Sequence, residues 1–459
     1  MKIQLTRFRP GSVREVWSLS LPMILSLLSA NMMMFADRLF LAKYSTAAMN
    51  AIAAASLIIA VTVFSFELIT AIAEVFVGQF NGASEHKRAA SPAWQMLWLS
   101  AATPIVFIPL AIWAGPLLLP AYHYVDHGLP YFQWTLYFAL FIPAVAALAG
   151  FFVGIGKARL VMTMAIVTNL LNLILDPILI FGIDGICPAM GTKGAAIGTS
   201  ISEGVHVLGL LLVFLSPRYR NTYGTSNWKF ELPLFLRCLK VGVPTAIGHT
   251  IEWCAWAITV RMMAGISELH LTIAAIGQSF YLLVSFFFEG IQKAVTTIAS
   301  NNIGAKFFSN VWRAWRSAIK LLILLSIPLG VLFLGFPEFL AKQFITDAPA
   351  SEELLSMIRI TALGIWVYFF VDGFSWISVG LLSAAEDTQY VMWTNAITAW
   401  LCGLLPVSLF MVWLGLSPPF YWAIICFYGS CNAVAFSLRL RKEPWTKLAL
   451  YSPKEPLRN

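Results

Sequence analysis

Charge is scarce in this chain: 11% of its 459 residues are Asp, Glu, Lys or Arg, against 59% that are hydrophobic. That deficit excludes a soluble domain built around one core and leaves a polytopic membrane protein. Cysteine is sparse as well. Cys187, Cys238, Cys254, Cys402, Cys426 and Cys431 fall within apolar segments or on short loops, so no disulfide framework is expected and small buried hydrophobes is their plain reading. The basic N-terminus, MKIQLTRFRPGSVREVW, leads into an apolar run with no small-residue cleavage pattern, so the first helix is expected to stay. No dense basic patch accompanies the net charge of +8, which removes nucleic acid as an expected partner. Paired HxxxH motifs and DDxxD are missing, so nothing marks a polytopic membrane enzyme, and no cofactor is expected.

What the chain has is apolar length. Twelve apolar segments centre near Ala30, Phe64, Phe107, Phe141, Leu173, Leu208, Glu252, Phe287, Leu325, Val371, Ala399 and Phe427, and a segment of roughly 20 such residues crosses a bilayer. The expected fold class is therefore all-α, a polytopic membrane protein with 12 transmembrane helices. With loops assigned alternately to two sides, Arg38, Lys43, Lys193, Arg261, Lys342 and Arg359 fall on one side and Lys293 falls within a helix. Every other Lys and Arg lies on the side of the N-terminus, so the positive-inside rule puts both termini in the cytoplasm. Most of the 17 Trp are expected to anchor helices at the membrane interface.

The stretch Lys240 to Arg261, KVGVPTAIGHTIEWCAWAITVR, places a carboxylate where charge is least tolerated. As a helix it sets Glu252 roughly 18 Å from Lys240 and about 14 Å from Arg261. A charge at that depth costs roughly 2.5 to 3.5 kcal/mol on insertion scales, so a functional site with a partner is the default reading.

The same stretch opens the second copy of an internal repeat. Pro22 and Pro244, Glu67 and Glu289, and the Gly82-Ala83 and Gly304-Ala305 pairs are separated by 222 positions. Gly154 and Gly380, and Asn169 and Asn395, are separated by 226, as if one loop had gained four residues. The implied organisation is an N-terminal six-helix lobe (1–216), a basic linker (217–240) and a C-terminal six-helix lobe (241–459), two pseudo-symmetric bundles about an axis along the membrane normal. The acids break that symmetry. Glu252 corresponds to Ala30, Asp37 to Thr259 and, at the larger offset, Asp372 to Ala146. A channel would not need halves that differ at each of these acids.

Tyr368 and Asp372 are four residues apart and share a helix face, so Glu252, Asp372 and Tyr368 are expected to converge in the C-terminal lobe. Such a cluster suits Na+, which takes hard oxygen ligands, or a proton shared by neighbouring carboxylates. The plainer alternative is that either acid merely hydrogen-bonds the next helix. The N-terminal counterpart is Asp37, Asn172, Asp176 and Thr199, where Asp176-Pro177 could instead end or kink a helix and Arg38 could pair with Asp176. Glu289 and Lys293, four apart, read as a neutralising pair. Glu67 and Glu74 have no basic neighbour in sequence and stay unassigned between cavity lining and the cytoplasmic end. Met32 to Met34 with Phe35 suit either a pliable pocket or ordinary packing, and His249 either helix packing or a proton relay.

The motifs LPMILSLLS with the later Asp37, VGQFNGA, LNLILDPILIFG, GAAIGTSIS, VPTAIGHTIE and YFFVDGFSWISVG together resemble the multidrug and toxic compound extrusion (MATE) family over essentially the whole chain. The resemblance implies two bundles facing a central cleft, and export of mostly cationic, amphipathic compounds in exchange for Na+ or protons. The acid pair of the NorM-like branch maps onto Glu252 and Asp372 with Tyr368. The N-terminal cluster of the DinF-like branch maps onto Asp37, Asn172, Asp176 and Thr199. After Asp37 the chain reads Arg38-Leu39-Phe40-Leu41-Ala42, where the family usually has a small polar residue and a glycine. The expectation is a monomeric, cation-coupled antiporter of the cytoplasmic (inner) membrane. The alternative within transport is a lipid-linked oligosaccharide flippase of the same superfamily.

Overall fold

The computed structural model describes residues 5–118, 125–336 and 352–448; Lys342, placed by sequence on the outer side, lies outside them. The described residues are overwhelmingly helical. Among the described residues ten helices are long and apolar enough to cross a membrane: α1 (Val13–Tyr44), α2 (Thr46–Gly82), α3 (His86–Ala114), α5 (Ala158–Phe181), α6 (Gly191–Phe214), α8 (Glu268–Gly304), α9 (Phe308–Gly335), α10 (Leu354–Ala384), α11 (Thr388–Trp413) and α12 (Phe420–Lys447). α4 completes the first lobe as two shorter helices, Gly128–Phe138 and Phe141–Gly154, bent by 43°. Pro143, in the first turn of the second of them, has no N–H for the preceding turn, which accounts for the bend. α7 (Leu232–Ile266) is the twelfth; at 35 residues it spans with length to spare, and His249 and Glu252 lower its hydropathy. Its first turns, residues 232–240, take up the end of the basic linker.

Local signals repeat between the halves. Ser45 and Ser267 both leave the helix in extended conformation and cap α2 and α8 by accepting the amide three residues on. Ser84 (φ 63°) and Lys306 (φ 60°) make the same left-handed turn after those helices. Each pair keeps the 222-residue offset. The next turn corrects the second one. Gly156 (φ 77°) corresponds to Glu386 (φ 60°), and Lys157 (φ −97°, ψ 37°) to Asp387 (φ −95°, ψ 38°). That offset is 230, not 226, so Gly154 and Asn169 are not the partners of Gly380 and Asn395. Asp372 then corresponds to Ile142, still apolar, and the asymmetry of the acids stands.

Packing repeats in the same way. α1 packs on α5 as α7 does on α11, and α2 on α4 as α8 does on α10. Across the middle, α1 meets α8 and α2 meets α7. Large apolar side chains such as Ile105, Leu212 and Val331 face outward, as expected where lipid is the solvent. The linker carries a short helix, Pro217–Tyr223, and is strapped to the start of α3. Trp94 Nε1 donates to the Thr225 carbonyl at 2.9 Å and Trp98 Nε1 to that of Trp228 at 3.0 Å. Gln95 donates to the Lys229 carbonyl and accepts from the Glu231 amide.

Candidate functional site

In the C-terminal lobe, Glu252 of α7 and Asp372 of α10 line one cavity, together with His249, Ser375, Asn395 and Asn432. A phenol holds each acid. Tyr281 donates to Asp372 Oδ2 at 2.7 Å and Tyr428 to Glu252 Oε1 at 2.9 Å. Tyr368 and Trp376, one turn either side of Asp372 on α10, also bring their donors to its carboxylate. Asp372 is buried (3% exposed), as is Tyr368. Glu252 lies between that cavity and a second one lined by Trp256, Thr259, Gly403 and Tyr428. Each has about 20 Å³ of free space, room for roughly one water-sized species. The second cavity is lined in part by the π-helical turns of α11 over Ala399–Leu404, a distortion that often accompanies function.

The sequence-expected trio of Glu252, Asp372 and Tyr368 thus comes together. Tyr281, Tyr428, Trp376, Asn395 and Asn432 are additions that the spacing did not single out. Their signal was present as polar groups inside apolar helices, but tyrosine and tryptophan also mark membrane interfaces. His249 is part of the group. Its Nδ1 lies 3.9 Å from Glu252 Oε2, and its ring centre 5.4 Å from that of Trp376.

The N-terminal set also converges. Asn172 Nδ2 donates to Asp176 Oδ1 at 3.0 Å and approaches Thr199 Oγ1 at 3.4 Å. Asp37 of α1 meets Asp176 of α5 carboxyl to carboxyl. Gly198 makes this fit, because a Cβ there would fall onto Asp176 Oδ1. Asn172 and Asp176 are fully buried. Among the described residues no further donor reaches Asp37 Oδ1, Asn172 Oδ1 or Asp176 Oδ2. Arg38 does not take up the pairing with Asp176 that the sequence allowed: it is exposed, and Asp176 lies against Asn172 and Asp37. Pro177 neither ends nor interrupts α5, which continues to Phe181. Met32, Met34 and Phe35 are on an exposed face of α1 rather than in a closed pocket.

Between the lobes, Lys293 Nζ lies 3.3 Å from Glu289 Oε1, as the spacing suggested. The basic residue whose charge Glu67 and Glu74 feel, absent from their own stretch of sequence, is this same Lys293 across the lobe boundary.

The MatE family model matches residues 22–178 and 244–408, one stretch in each half. Over 419 residues the chain is 25% identical to a "Probable multidrug resistance protein NorM" of Thermotoga maritima, covering 88% of this chain and 86% of that protein. A protein of the same name from Agrobacterium fabrum is 24% identical over 269 residues, 58% of this chain and 57% of its own length, so that match spans little more than half of the relative. Among solved structures, an "Outward-facing conformation of a multidrug resistance MATE family transporter of the MOP superfamily" superposes with a TM-score of 0.84 at 16% identity, covering 96% of this chain and 98% of the other. A MOP superfamily transporter from Pyrococcus furiosus superposes at 0.82 with 18% identity, over 97% and 98% of the two chains. At these identities the structural likeness speaks for the fold.

Proposed function

The chain belongs to the MatE family, and from that premise we propose that it is a secondary antiporter that exports organic cations, drugs and other xenobiotics in exchange for Na+ or protons. It is a multi-pass membrane transporter and not an enzyme. It works as a monomer in the cytoplasmic membrane with both termini inside, where the basic loops favour them.

The observation that carries the reading is the shared cavity of Glu252 and Asp372. Drug-sized ligands occupy cavities of roughly 300 to 1,000 Å³, whereas this one takes about one water-sized species. The carboxylates are therefore matched to the coupling ion, Na+ or a proton, and the organic substrate occupies the cleft between the lobes. Asp37, Asn172, Asp176 and Thr199 supply a second set of hard oxygens in the other lobe.

One cation entering down a 100 mV potential supplies about 2.3 kcal/mol. A tenfold concentration gradient adds roughly 1.4 kcal/mol. Coupling follows if ion and substrate favour opposite states of the two lobes. A flippase for lipid-linked sugars calls for a cationic cleft, whereas the interlobe group here sets one lysine among carboxylates.

The test is efflux of a fluorescent organic cation from proteoliposomes under imposed Na+ or proton gradients. Accumulation against the dye gradient that follows one of the two ions supports the antiporter. Dye movement indifferent to both gradients refutes it.

A further inference from the structure

Four ionisable side chains lie close enough to feel one another's charge where the lobes touch: Glu67 and Glu74 from α2, and Glu289 and Lys293 from α8, the last two 3.3 Å apart. Thr297, one turn beyond Lys293, donates to Glu74 Oε1 at 2.6 Å, and both residues are buried. Glu203 of α6, itself 3.7 Å from His206 Nδ1, adds its negative charge to the surroundings of Glu67.

Just beyond this group, at the end carrying the basic loops, α2 and α8 cross with backbone against backbone. A Cβ at Gly82 would fall onto the Asn301 carbonyl, and one at Gly304 onto that of Gln79. Asn81 Nδ2 donates to Asn301 Oδ1 at 2.7 Å, and Gln79 Nε2 to the Ala384 carbonyl at 3.1 Å. In this arrangement the lobes are shut at the end assigned to the cytoplasm.

The closure is symmetric in backbone and asymmetric in charge. At the 222-residue offset Lys293 corresponds to Ala71, so only one lobe contributes a cation. If the lobes part at this end, Lys293 keeps Glu289, because the two share a helix one turn apart. It loses Glu67 and Glu74, which leave with α2. What is lost is an attraction between partly buried charges at the closed crossing, which exceeds that of a fully exposed surface pair. The Lys293 side chain is 40% exposed, which moderates the effect without abolishing it.

We propose that Lys293 is the electrostatic catch of the cytoplasmic gate, holding the α2–α8 crossing shut through Glu67 and Glu74 and releasing them once in each transport cycle. The inference rests on the two-lobed transporter reading but on neither the coupling ion nor the substrate.

Spin labels at Glu85→Cys and Phe307→Cys, exposed positions just past the ends of α2 and α8, report the separation of those ends. They are read by double electron–electron resonance on the full chain in lipid nanodiscs, with the six native cysteines replaced. Lys293→Gln is expected to raise the population with separated ends about tenfold, and Lys293→Arg to keep the unsubstituted distribution. Adding Glu74→Gln to Lys293→Gln, which removes a carboxylate left unpaired, is expected to return the distribution part of the way. An unchanged distribution in Lys293→Gln, or an equal shift in Lys293→Arg, overturns the proposal. The readout uses no substrate and no gradient, so its failure is distinct from a failure of the antiporter reading in the efflux assay.

Discussion

The two lobes share a fold and part ways at their acids. In the C-terminal lobe Asp372 and Glu252 each accept a tyrosine hydroxyl and face cavities of water-like size. In the N-terminal lobe Asp37 and Asp176 face each other carboxyl to carboxyl, with the Asn172 amide as the donor that reaches Asp176. Two facing acids repel when both are charged, so a shared proton or a bound cation relieves such a pair. The C-terminal pair is already satisfied by phenols that a cation must displace or share. One lobe sets acid against acid, while the other sets each acid against a phenol.

Substitutions can break that contrast, and we order them by expected effect. Asp372→Asn removes the more buried acid of the C-terminal pair and is expected to lower gradient-driven accumulation of an organic cation about a hundredfold, a loss of roughly 2.7 kcal/mol. Proteoliposome efflux measures it, with Glu252→Gln following in the same direction. Asp37→Asn leaves Asp176 without its facing carboxylate and is expected to weaken apparent affinity for the coupling ion about tenfold. Titrating the ion at fixed substrate checks this, and unchanged ion dependence would remove the N-terminal lobe from coupling. Tyr281→Phe takes away the phenol that competes for Asp372, so apparent ion affinity should rise about threefold; a fall would mean that the hydroxyl is itself a ligand. Tyr428→Phe should change it by less than about twofold, because Glu252 borders two cavities and is more open to water.

Much of this was legible in the sequence. An acid inside an apolar run is conspicuous, and Glu252, Asp372, Asp37 and Asp176 were all found that way. Helical spacing then added Tyr368 and Asn172. Tyr281 and Tyr428 were not found, because a tyrosine in a membrane helix reads first as an interface anchor and its partner lies far away in the chain. The electrostatic proximity of Lys293 to Glu67 and Glu74 was hidden for the same reason, since it exists only where two lobes meet and local spacing carries no trace of it. The 226-residue offset rested on isolated glycine and asparagine matches. The turn after α4, with Lys157 and Asp387 in nearly the same backbone conformation, moves it to 230.

The central claim is that buried acids in this bundle are tolerated because a mobile cation neutralises them in turn, with the C-terminal pair carrying the coupling. Its most direct test is substrate flux measured as a function of the imposed ion gradient, for the unsubstituted chain and for Asp372→Asn at matched protein density. The account predicts a steep gradient dependence in the first and a flat one in the second, with downhill movement of substrate retained. Equal gradient dependence in both would contradict it.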